Sequence, residues 1–186
     1  MFKKLIKWFG LDKPTNTLED FLKTVQRRAD TNSCETFATF TPQGFNLVIE
    51  LLINKAQYKL CMFIEKRELF LDDFKLMMFE AKLKQFALNG GKATIATFGG
   101  ERDEELLKLQ NKYPDCFEYI ALKCKNAPEV NNFIVVDNKS YLLEDTIFHR
   151  NSICDHLKAE VNFFNFGRSS LLMEKFNSYV EAGKSR

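Results

Sequence analysis

The hydrophobic positions along the chain alternate between the period of a helix and that of a strand. Helical spacing predicts helices within residues 15–30, 46–56, 72–88, 101–112 and 157–182. Short apolar or alternating runs predict strands at residues 35–41, 59–64, 92–98 and 116–122. We expect Pro42 and Gly44 to break the chain before the second helix. The alternation favours an α/β domain with a mixed sheet flanked by helices.

The stretch Asn131–Glu144, NNFIVVDNKSYLLE, predicts a β-hairpin in which two extended runs flank a turn at residues 137–139. The run Lys59–Ile64 is apolar almost throughout, which is typical of a parallel strand buried on both faces. The sheet is therefore predicted to combine parallel strands with an antiparallel hairpin. The helix over residues 72–88 carries two apolar stripes, so we expect it to be mostly covered.

The first ten residues, MFKKLIKWFG, have the pattern of a short basic amphipathic helix. With the helix predicted at residues 15–30, this segment is interpreted as an N-terminal helical extension over residues 1–32. An α/β domain over residues 33–186 follows it. The apolar side of the segment predicts self-association or a protein partner through Phe2, Leu5, Ile6, Trp8 and Phe9. Folding back onto the chain's own domain is the alternative, and docking on a membrane surface is less favoured.

The overall charge disfavours a dedicated nucleic-acid-binding protein. The net charge is +2, from 27 basic and 25 acidic residues, whereas such proteins usually carry a clear basic excess. Nucleic-acid binding therefore requires a local patch, for which the candidates are Lys123, Lys125, Lys139, Arg150 and Arg168.

The cysteine pattern indicates reduced thiols. The chain has five cysteines, an odd number, and none of them forms a CxxC pair or a metal-finger spacing. With no secretory signal in the sequence, this pattern favours a cytoplasmic protein. No apolar run approaches the roughly 18 residues of a membrane span.

Two histidines are the candidates for acid–base chemistry. His149 beside Arg150, or His156 beside Asp155, provides a base with a charged neighbour, although a loop or capping role is the simpler interpretation. Cys154 lies between the histidines, but without a second ligand cluster their spacing does not favour zinc. We therefore predict no metal and no cofactor.

The segment before the last predicted helix contains a candidate anion seat. Arg168, Ser169 and Ser170 lie where a helix N-terminus adds backbone N–H donors. The alternative is structural, with Ser169 or Ser170 capping that helix.

Three segments resemble, in their order and spacing, one half of the phospholipase D superfamily. Gly44–Ile64 resembles the opening helix and first core strand of that family, and Lys82–Phe98 resembles its next helix, glycine turn and strand. Phe133–Glu144 resembles the catalytic hairpin, and the likeness covers roughly residues 36–180. The resemblance implies a phospholipase D-like half-domain that pairs with a second half.

The resemblance also implies where catalytic groups belong. The family motif is His-x-Lys-x4-Asp, in which the His attacks phosphorus, the Lys holds phosphate oxygens and the Asp orients the His of the second half. Here the His position is Val130, the Lys position is Asn132 and the Asp position is Asp137. Valine offers no nucleophile and asparagine no positive charge, so the hallmark chemistry is predicted to be absent. Asp137 is better explained as a turn residue.

The sequence therefore favours a non-catalytic phospholipase D-like binding or assembly domain that is dimeric or part of a larger complex. One alternative is a divergent nuclease or phosphodiesterase that uses His149 or His156. Another is an accessory protein that binds nucleic acid through the basic residues named above. A fold likeness alone does not decide between these functions.

Overall fold

The computed structural model describes residues 17–39, 41–98, 102–122, 131–144 and 159–184, which form seven strands and six helices. The strands are β1 (Phe37–Thr39), β2 (Lys59–Ile64), β3 (Lys92–Thr97), β4 (Phe117–Ala121), β5 (Phe133–Val136), β6 (Ser140–Glu144) and β7 (Ala159–Asn162). The helices are α1 (Leu18–Asp30), α2 (Pro42–Lys55), α3 (Arg67–Phe70), α4 (Asp73–Asn89), α5 (Glu104–Lys112) and α6 (Phe166–Lys184).

The strands form one mixed sheet in the order β1-β7-β6-β5-β2-β3-β4. Parallel pairing joins β2 to β3 and β3 to β4, whereas β5, β6, β7 and β1 pair in antiparallel fashion. β5 lies antiparallel to β2, with Phe133 opposite Phe63. The predicted mixed α/β architecture, with its parallel strands and its hairpin, is confirmed.

Helices cover both faces of the sheet. On one face, Leu60 and Met62 of β2 share a buried cluster with apolar side chains of α2, α4 and α5. On the other face, Phe63 packs against α6, where its ring centroid lies 6.4 Å from that of Phe176. Because alternate residues of β2 meet different helical layers, both sets of positions must be apolar.

The prediction that Pro42 and Gly44 break the chain is wrong, because α2 begins at Pro42. A proline ring suits the first turn of a helix, where its missing N–H leaves no bond unmade. Thr41 caps the helix, its Oγ1 accepting the N–H of Gly44 at 3.1 Å. Residue 44 also lies close to α1, since a Cβ there would be only 2.6 Å from Cε1 of Phe21.

The closing segment contains a strand that its sequence pattern does not reveal. The helix predicted within residues 157–182 begins only at Phe166, and β7 occupies Ala159–Asn162 before it. β7 pairs with β1 on one side and with β6 on the other, so its backbone hydrogen bonds are satisfied within the sheet. Ala159 and Val161 belong to the core on the α2 side. Two buried positions in a strand of four residues are too few to predict that strand from the sequence.

The prediction that the helix over residues 72–88 is mostly covered is wrong for one of its two apolar stripes. Leu83 and Phe86 of α4 are fully buried, whereas Phe74, Met77 and Leu88 are exposed. Among the described residues, the sheet and α2 cover one side of this helix, and none covers the side with Phe74, Met77 and Leu88.

Several predicted features lie outside the described residues. They are the N-terminal segment with its apolar side chains and the candidates Lys123, Lys125, Val130, His149, Arg150, Cys154 and His156. The division between residues 32 and 33 stays a prediction, although α1 adds Val25 and Ala29 to the main core. Within the described ranges, no helix is long and apolar enough to cross a membrane.

Candidate functional site

The carboxyl ends of β2 and β3 meet the start of β5 and the end of β6 at one edge of the sheet, which we call the carboxyl edge. Glu65 follows β2, Thr97 ends β3, Asn132 precedes β5 and Glu144 ends β6. In open α/β sheets, ligands bind outside the carboxyl ends of the parallel strands. The carboxyl edge is therefore the candidate functional site.

A buried amide and carboxylate pair occupies the carboxyl edge beside β2. Asn132 exposes 5% of its surface and Glu144 exposes 1%. The Asn132 Nδ2 donates to Oε2 of Glu144, and the Asn132 Oδ1 accepts the backbone N–H of Glu65 at 2.6 Å. The N–H of Glu144 donates in turn to the carbonyl oxygen of Asn132 at 2.9 Å. Asn132 thus ties the start of β5 to the ends of β6 and β2.

This pair is suited to holding strands together and is unsuited to binding phosphate. A phosphate clamp needs cationic side chains or several free N–H donors. The oxygen and the nitrogen of the Asn132 amide both bind protein groups, and the neighbouring group is the carboxylate of Glu144. Asn132 therefore offers no cationic group with which to bind a phosphate oxygen.

A cleft of about 250 Å³ lies at the same edge, between the ends of β2 and β3 and the start of α5. Arg67 Nε lies 2.7 Å from Oδ2 of Asp103, and the N–H of Asp103 donates to Oη of Tyr119 at 2.9 Å. The Tyr119 hydroxyl also lies 3.0 Å from Oγ1 of Thr97. Asp103 caps α5 as well, accepting the N–H of Leu106 at 2.9 Å. The charged head of Arg67 is therefore already paired.

The cleft carries more acidic than basic side chains. The acidic ones are Glu65, Glu68, Asp103, Glu104 and Glu105, and the basic ones are Lys66, Arg67 and Arg102. Asp103 pairs with Arg67, and Glu105 pairs with Lys108 at 2.6 Å. The other three acidic and two basic side chains leave a small negative net charge. Such a surface attracts basic groups and repels polyanions.

Asp137 lies at the opposite edge of the sheet from Asn132. The two residues are separated by five positions of extended chain, which is a distance of roughly 17 Å at about 3.3 Å per residue. Asp137 and Asn138 form the turn between β5 and β6 and have φ angles of 51° and 56°. Asp and Asn tolerate this left-handed region better than other non-glycine residues, so the predicted turn is explained.

The Asp137 carboxylate fixes the entry to β2. It accepts the backbone N–H groups of Gln57, Tyr58 and Lys59 at 3.0, 2.9 and 2.8 Å. These donors are nearly 80 residues away in sequence, so turn propensity alone does not reveal them. The contacts make Asp137 a structural residue at this edge.

A buried lysine holds the same connection from within. Lys82 of α4 donates to the carbonyl oxygens of Asn54 and Ala56 at 2.9 and 3.0 Å and to Oε1 of Gln85 at 2.8 Å. Burial lowers the pKa of Lys82, and the Asp137 carboxylate opposes that shift. Lys82 therefore fastens the connection between α2 and β2.

The three residues of the candidate anion seat, Arg168, Ser169 and Ser170, differ in how far they are exposed. Arg168 is partly exposed, with its Nε 3.9 Å from Oε1 of Glu160. Ser169 is fully buried with an unpartnered Oγ, whereas Ser170 is exposed. Asn165 caps α6, its Oδ1 accepting the N–H of Arg168 at 3.0 Å, so the predicted serine cap is wrong. An anion-binding role for these residues stays a prediction.

Tyr141 and Glu160 form a second polar pair, which sequence analysis missed. The Tyr141 hydroxyl donates to Oε1 of Glu160 at 2.5 Å between the neighbouring strands β6 and β7. Burial raises the pKa of Tyr141, and the bond to the carboxylate raises it further, so the hydroxyl stays a donor. The two residues are 19 positions apart, and no local pattern links them.

Sequence analysis also did not single out Glu144, Arg67 or Asp103. For Asp103, the acidic start of the next helix signals only a cap. For Arg67 and Glu144, the partners come from other elements, and no local signal exists. Among the described residues, no three His, Cys, Asp or Glu side chains are placed to hold a metal ion.

Comparison with known proteins finds similar structures but no similar sequences. No protein-family model matches the chain, and no curated protein sequence is significantly similar to it. Nuc from Salmonella typhimurium, a phospholipase D family member, aligns with a TM-score of 0.54 at 14% identity, over 77% of this chain and 92% of Nuc. NucT from Helicobacter pylori aligns with a TM-score of 0.56 at 13% identity, over 78% of this chain and 95% of NucT.

The chain has a phospholipase D fold. TrmBL2, an archaeal chromatin protein described with a novel mode of DNA binding, also aligns, with a TM-score of 0.59 at 11% identity. That alignment covers 88% of this chain but only 59% of TrmBL2. These identities establish the architecture, and the function has to be argued from this chain's own residues.

In the phospholipase D fold, the positions implied by the family motif fall at the two ends of β5. Asn132, at the lysine position, lies at the carboxyl edge and is bonded to Glu144. Asp137, at the aspartate position, binds three backbone N–H groups at the opposite edge. Its contacts therefore do not fit the role of orienting a histidine.

Proposed function

We propose that this chain is a non-catalytic phospholipase D-like domain that works by binding or assembly. One observation carries the proposal. The position of the family's phosphate-holding lysine is filled by Asn132, whose amide is bonded to the buried carboxylate of Glu144 and to the N–H of Glu65. A phosphodiester at this place would meet a carboxylate where catalysis needs an ammonium group.

The missing ammonium group sets the size of the effect. A hydrogen bond to a charged group contributes about 1.5 to 3 kcal/mol. Its loss corresponds to a roughly 10- to 150-fold weaker affinity for a phosphate group.

Assembly is the function that a single half-domain fits best. Two family halves face each other across a shared site, and this chain supplies one of them. We infer self-association or binding to a protein partner, since the mixed charges of the cleft suit a protein surface better than a polyanion. Additional contacts would come from the N-terminal residues Phe2, Leu5, Ile6, Trp8 and Phe9.

A cytoplasmic setting fits the described cysteines. Cys34 is exposed, Cys61 and Cys116 are buried, and none of the three is in a disulfide. Free thiols persist in reducing compartments. We therefore propose the cytoplasm as the place where the domain acts.

The test is hydrolysis of bis(4-nitrophenyl) phosphate and of single-stranded and duplex DNA by the purified chain. We expect no turnover above a buffer blank. A divergent phosphodiesterase would instead turn over substrate and lose its activity in His149→Ala or His156→Ala, but not in the exposed control Asn177→Ala. That pattern would replace the proposal with the enzyme alternative.

Binding of single-stranded nucleic acid is a second candidate, which a different surface favours. At the edge opposite the carboxyl edge, the N–H of Asn165 donates to the carbonyl oxygen of Lys139 at 2.6 Å, and Arg168 lies in the next helical turn. Two of the predicted basic residues are therefore close together. TrmBL2, which shares the fold, is described as binding DNA, and this adds support.

Exposed aromatic rings flank these basic residues. Phe164 and Phe166 are exposed, with ring centroids 5.1 Å apart. Tyr58, also exposed, lies on the other side of the β5–β6 turn, where its N–H binds Asp137. Aromatic rings among lysine and arginine side chains are typical of surfaces that stack the bases of single strands.

Fluorescence anisotropy with a labelled single-stranded oligonucleotide tests this candidate. Binding should weaken with salt, and Lys139→Glu and Phe166→Ala should each reduce affinity by roughly 5- to 100-fold. The exposed Lys175→Glu, on another part of α6, is the matched control. Absence of binding at low salt removes the candidate.

A further inference from the structure

The outer side of α4 presents an apolar stripe to solvent. Phe74, Met77, Ala81 and Leu88 follow the spacing i, i+3, i+7 and i+14, so they lie along one side of the helix. Phe74, Met77 and Leu88 expose 60%, 70% and 90% of their surface. We call these four residues the α4 stripe.

The α4 stripe is not needed for the core of the chain. The opposite side of α4, with Phe79, Leu83 and Phe86, already fills the space against the sheet. Leu69, in the short α3 just before α4, is half-exposed as well. Several exposed apolar residues aligned along one side of a helix mark an interaction surface.

The stripe is nearly symmetric about its centre, Ala81. Phe74 lies seven positions before Ala81 and Leu88 lies seven positions after it. Met77 lies four positions before the centre, and Gln85 lies four positions after it. Two antiparallel copies of such a helix place each large side chain of one copy beside a large side chain of the other, and the small alanine lets the axes approach.

We propose that the chain forms a two-fold symmetric homodimer in which the α4 stripes of two copies pack antiparallel about Ala81. Phe74 then packs on Leu88 of the partner subunit, and Met77 packs along the stem of the partner's Gln85. The inference rests on the self-association in the proposed function, and it places that contact on α4, a surface that differs from the shared site across which two family halves face each other. A two-fold contact needs one self-complementary patch, and the stripe provides it.

The charges that flank the stripe do not oppose this contact. Glu80 is already paired within its own chain, 2.8 Å from Nζ of Lys112 and 3.8 Å from Nζ of Lys84. At the N-terminal end of α4, Asp72 pairs with the buried Lys75. Bringing two copies together therefore leaves none of these charges without its partner.

The size of the helix sets the expected strength. α4 has 17 residues and is therefore about 25 Å long. One helix pair of this length buries less than the about 800 Å² per partner of a standard interface. We therefore expect a dimer that dissociates in the micromolar range.

Sedimentation velocity of the full chain, over concentrations that bracket this range, tests the proposal. Ala81→Glu places two carboxylates face to face on the two-fold axis and should raise the dissociation constant roughly a hundred-fold or more. Leu171→Glu, at an exposed leucine on α6, is the control for an added surface carboxylate and should dimerise like the parent. Circular dichroism confirms that each variant folds.

Cysteine cross-linking gives a second readout that does not depend on a disruptive charge. In a background with Cys34, Cys124 and Cys154 changed to serine, Ala81→Cys should form a disulfide-linked dimer, because its Cα atoms meet at the axis within about 7 Å. In the control Met77→Cys, the two cysteines are offset by eight positions, or about 12 Å along the helices, and should not cross-link.

The two assays separate failure of this inference from failure of the proposed function. If Ala81→Glu still forms the dimer and Ala81→Cys forms no cross-link, the α4 contact alone is overturned. Self-association then uses another surface. A parent chain that is monomeric at high micromolar concentration overturns both the α4 contact and the proposed self-association.

Discussion

Replacing Asn132 by alanine is the sharpest perturbation of the carboxyl edge. The side chain donates one hydrogen bond to the buried Glu144 and accepts one from the N–H of Glu65. Loss of a bond to a charged group costs about 1.5 to 3 kcal/mol, and loss of the acceptor costs about 1 kcal/mol, because water reaches the exposed Glu65. We expect Asn132→Ala to lower the free energy of unfolding by about 3 kcal/mol.

A double-mutant cycle isolates the charge-dependent part of the contact between the two side chains. Glu144→Gln keeps an acceptor oxygen but removes the charge, so it should cost less than Asn132→Ala. In the double variant, residue 144 is a neutral amide that lacks its hydrogen-bond partner, which costs less than a buried carboxylate that lacks its partner. We expect a coupling energy of about 1 to 2 kcal/mol between the two positions.

Urea unfolding, followed by circular dichroism, measures all four proteins of the cycle. The exposed Asn177→Ala on α6 is the control for the substitution itself and should change the free energy by no more than about 0.5 kcal/mol. A loss below about 1 kcal/mol for Asn132→Ala, with no coupling to Glu144, would refute the reasoning. The pair would then not be a structural replacement for the family's lysine.

Three further predictions concern other parts of the structure. Asp137→Ala should cost about 2 to 3 kcal/mol in urea unfolding because three N–H groups lose their acceptor, and Asp137→Asn should cost less; equal losses would contradict this. Burial raises the pKa of the Cys61 thiol from 9.0 to about 11, so the unfolded chain loses the thiol proton at a lower pH than the folded chain does. The free energy of unfolding should therefore fall as the pH rises from about 9 to about 11. The fall should be about 2 to 3 kcal/mol and absent in Cys61→Ala; an identical fall in the variant would contradict it. Ser169→Ala should be neutral or stabilising by up to about 1 kcal/mol, since its buried Oγ has no partner, and a clear loss of stability would reveal one.

The features that sequence analysis predicted best are those set by neighbouring residues. The hairpin turn at residues 137–139 and the end of the helix predicted over residues 72–88 both depend on local backbone chemistry. Asp137 and Asn138 adopt positive φ angles in the turn, and Gly90, with a φ of 77°, follows the helix. Lys59–Ile64 was predictable because burial on both faces leaves an unbroken apolar run. These signals were sufficient to predict the α/β class and the order of most elements.

The features that sequence analysis missed depend on contacts between distant residues. Asn132 binds the N–H of Glu65, 67 positions away, and no local pattern links these two residues. Asp137 was correctly assigned to a turn, yet its main contacts are with residues 57–59. The sequence shows that asparagine replaces lysine at position 132, whereas only the structure shows that Glu144 lies beside it.

Two of the errors in the helices have the same physical origin. The pattern of α4 contains two apolar stripes, and only the placement of the sheet decides that Leu83 is buried and Met77 is exposed. β7 is a strand because two neighbouring strands satisfy its backbone, although its four residues fit a helical pattern as well. In both cases tertiary context overrides the local signal.

The most direct test of the central claim is the number of phosphodiester bonds cleaved per chain during a long incubation with bis(4-nitrophenyl) phosphate. The account predicts that the native chain releases no more product than the same chain after heat denaturation. Repeated turnover that is lost in both Asn132→Ala and Glu144→Gln, while Asn177→Ala keeps it, would contradict the account. The carboxyl edge would then be an active site and not a structural replacement for one.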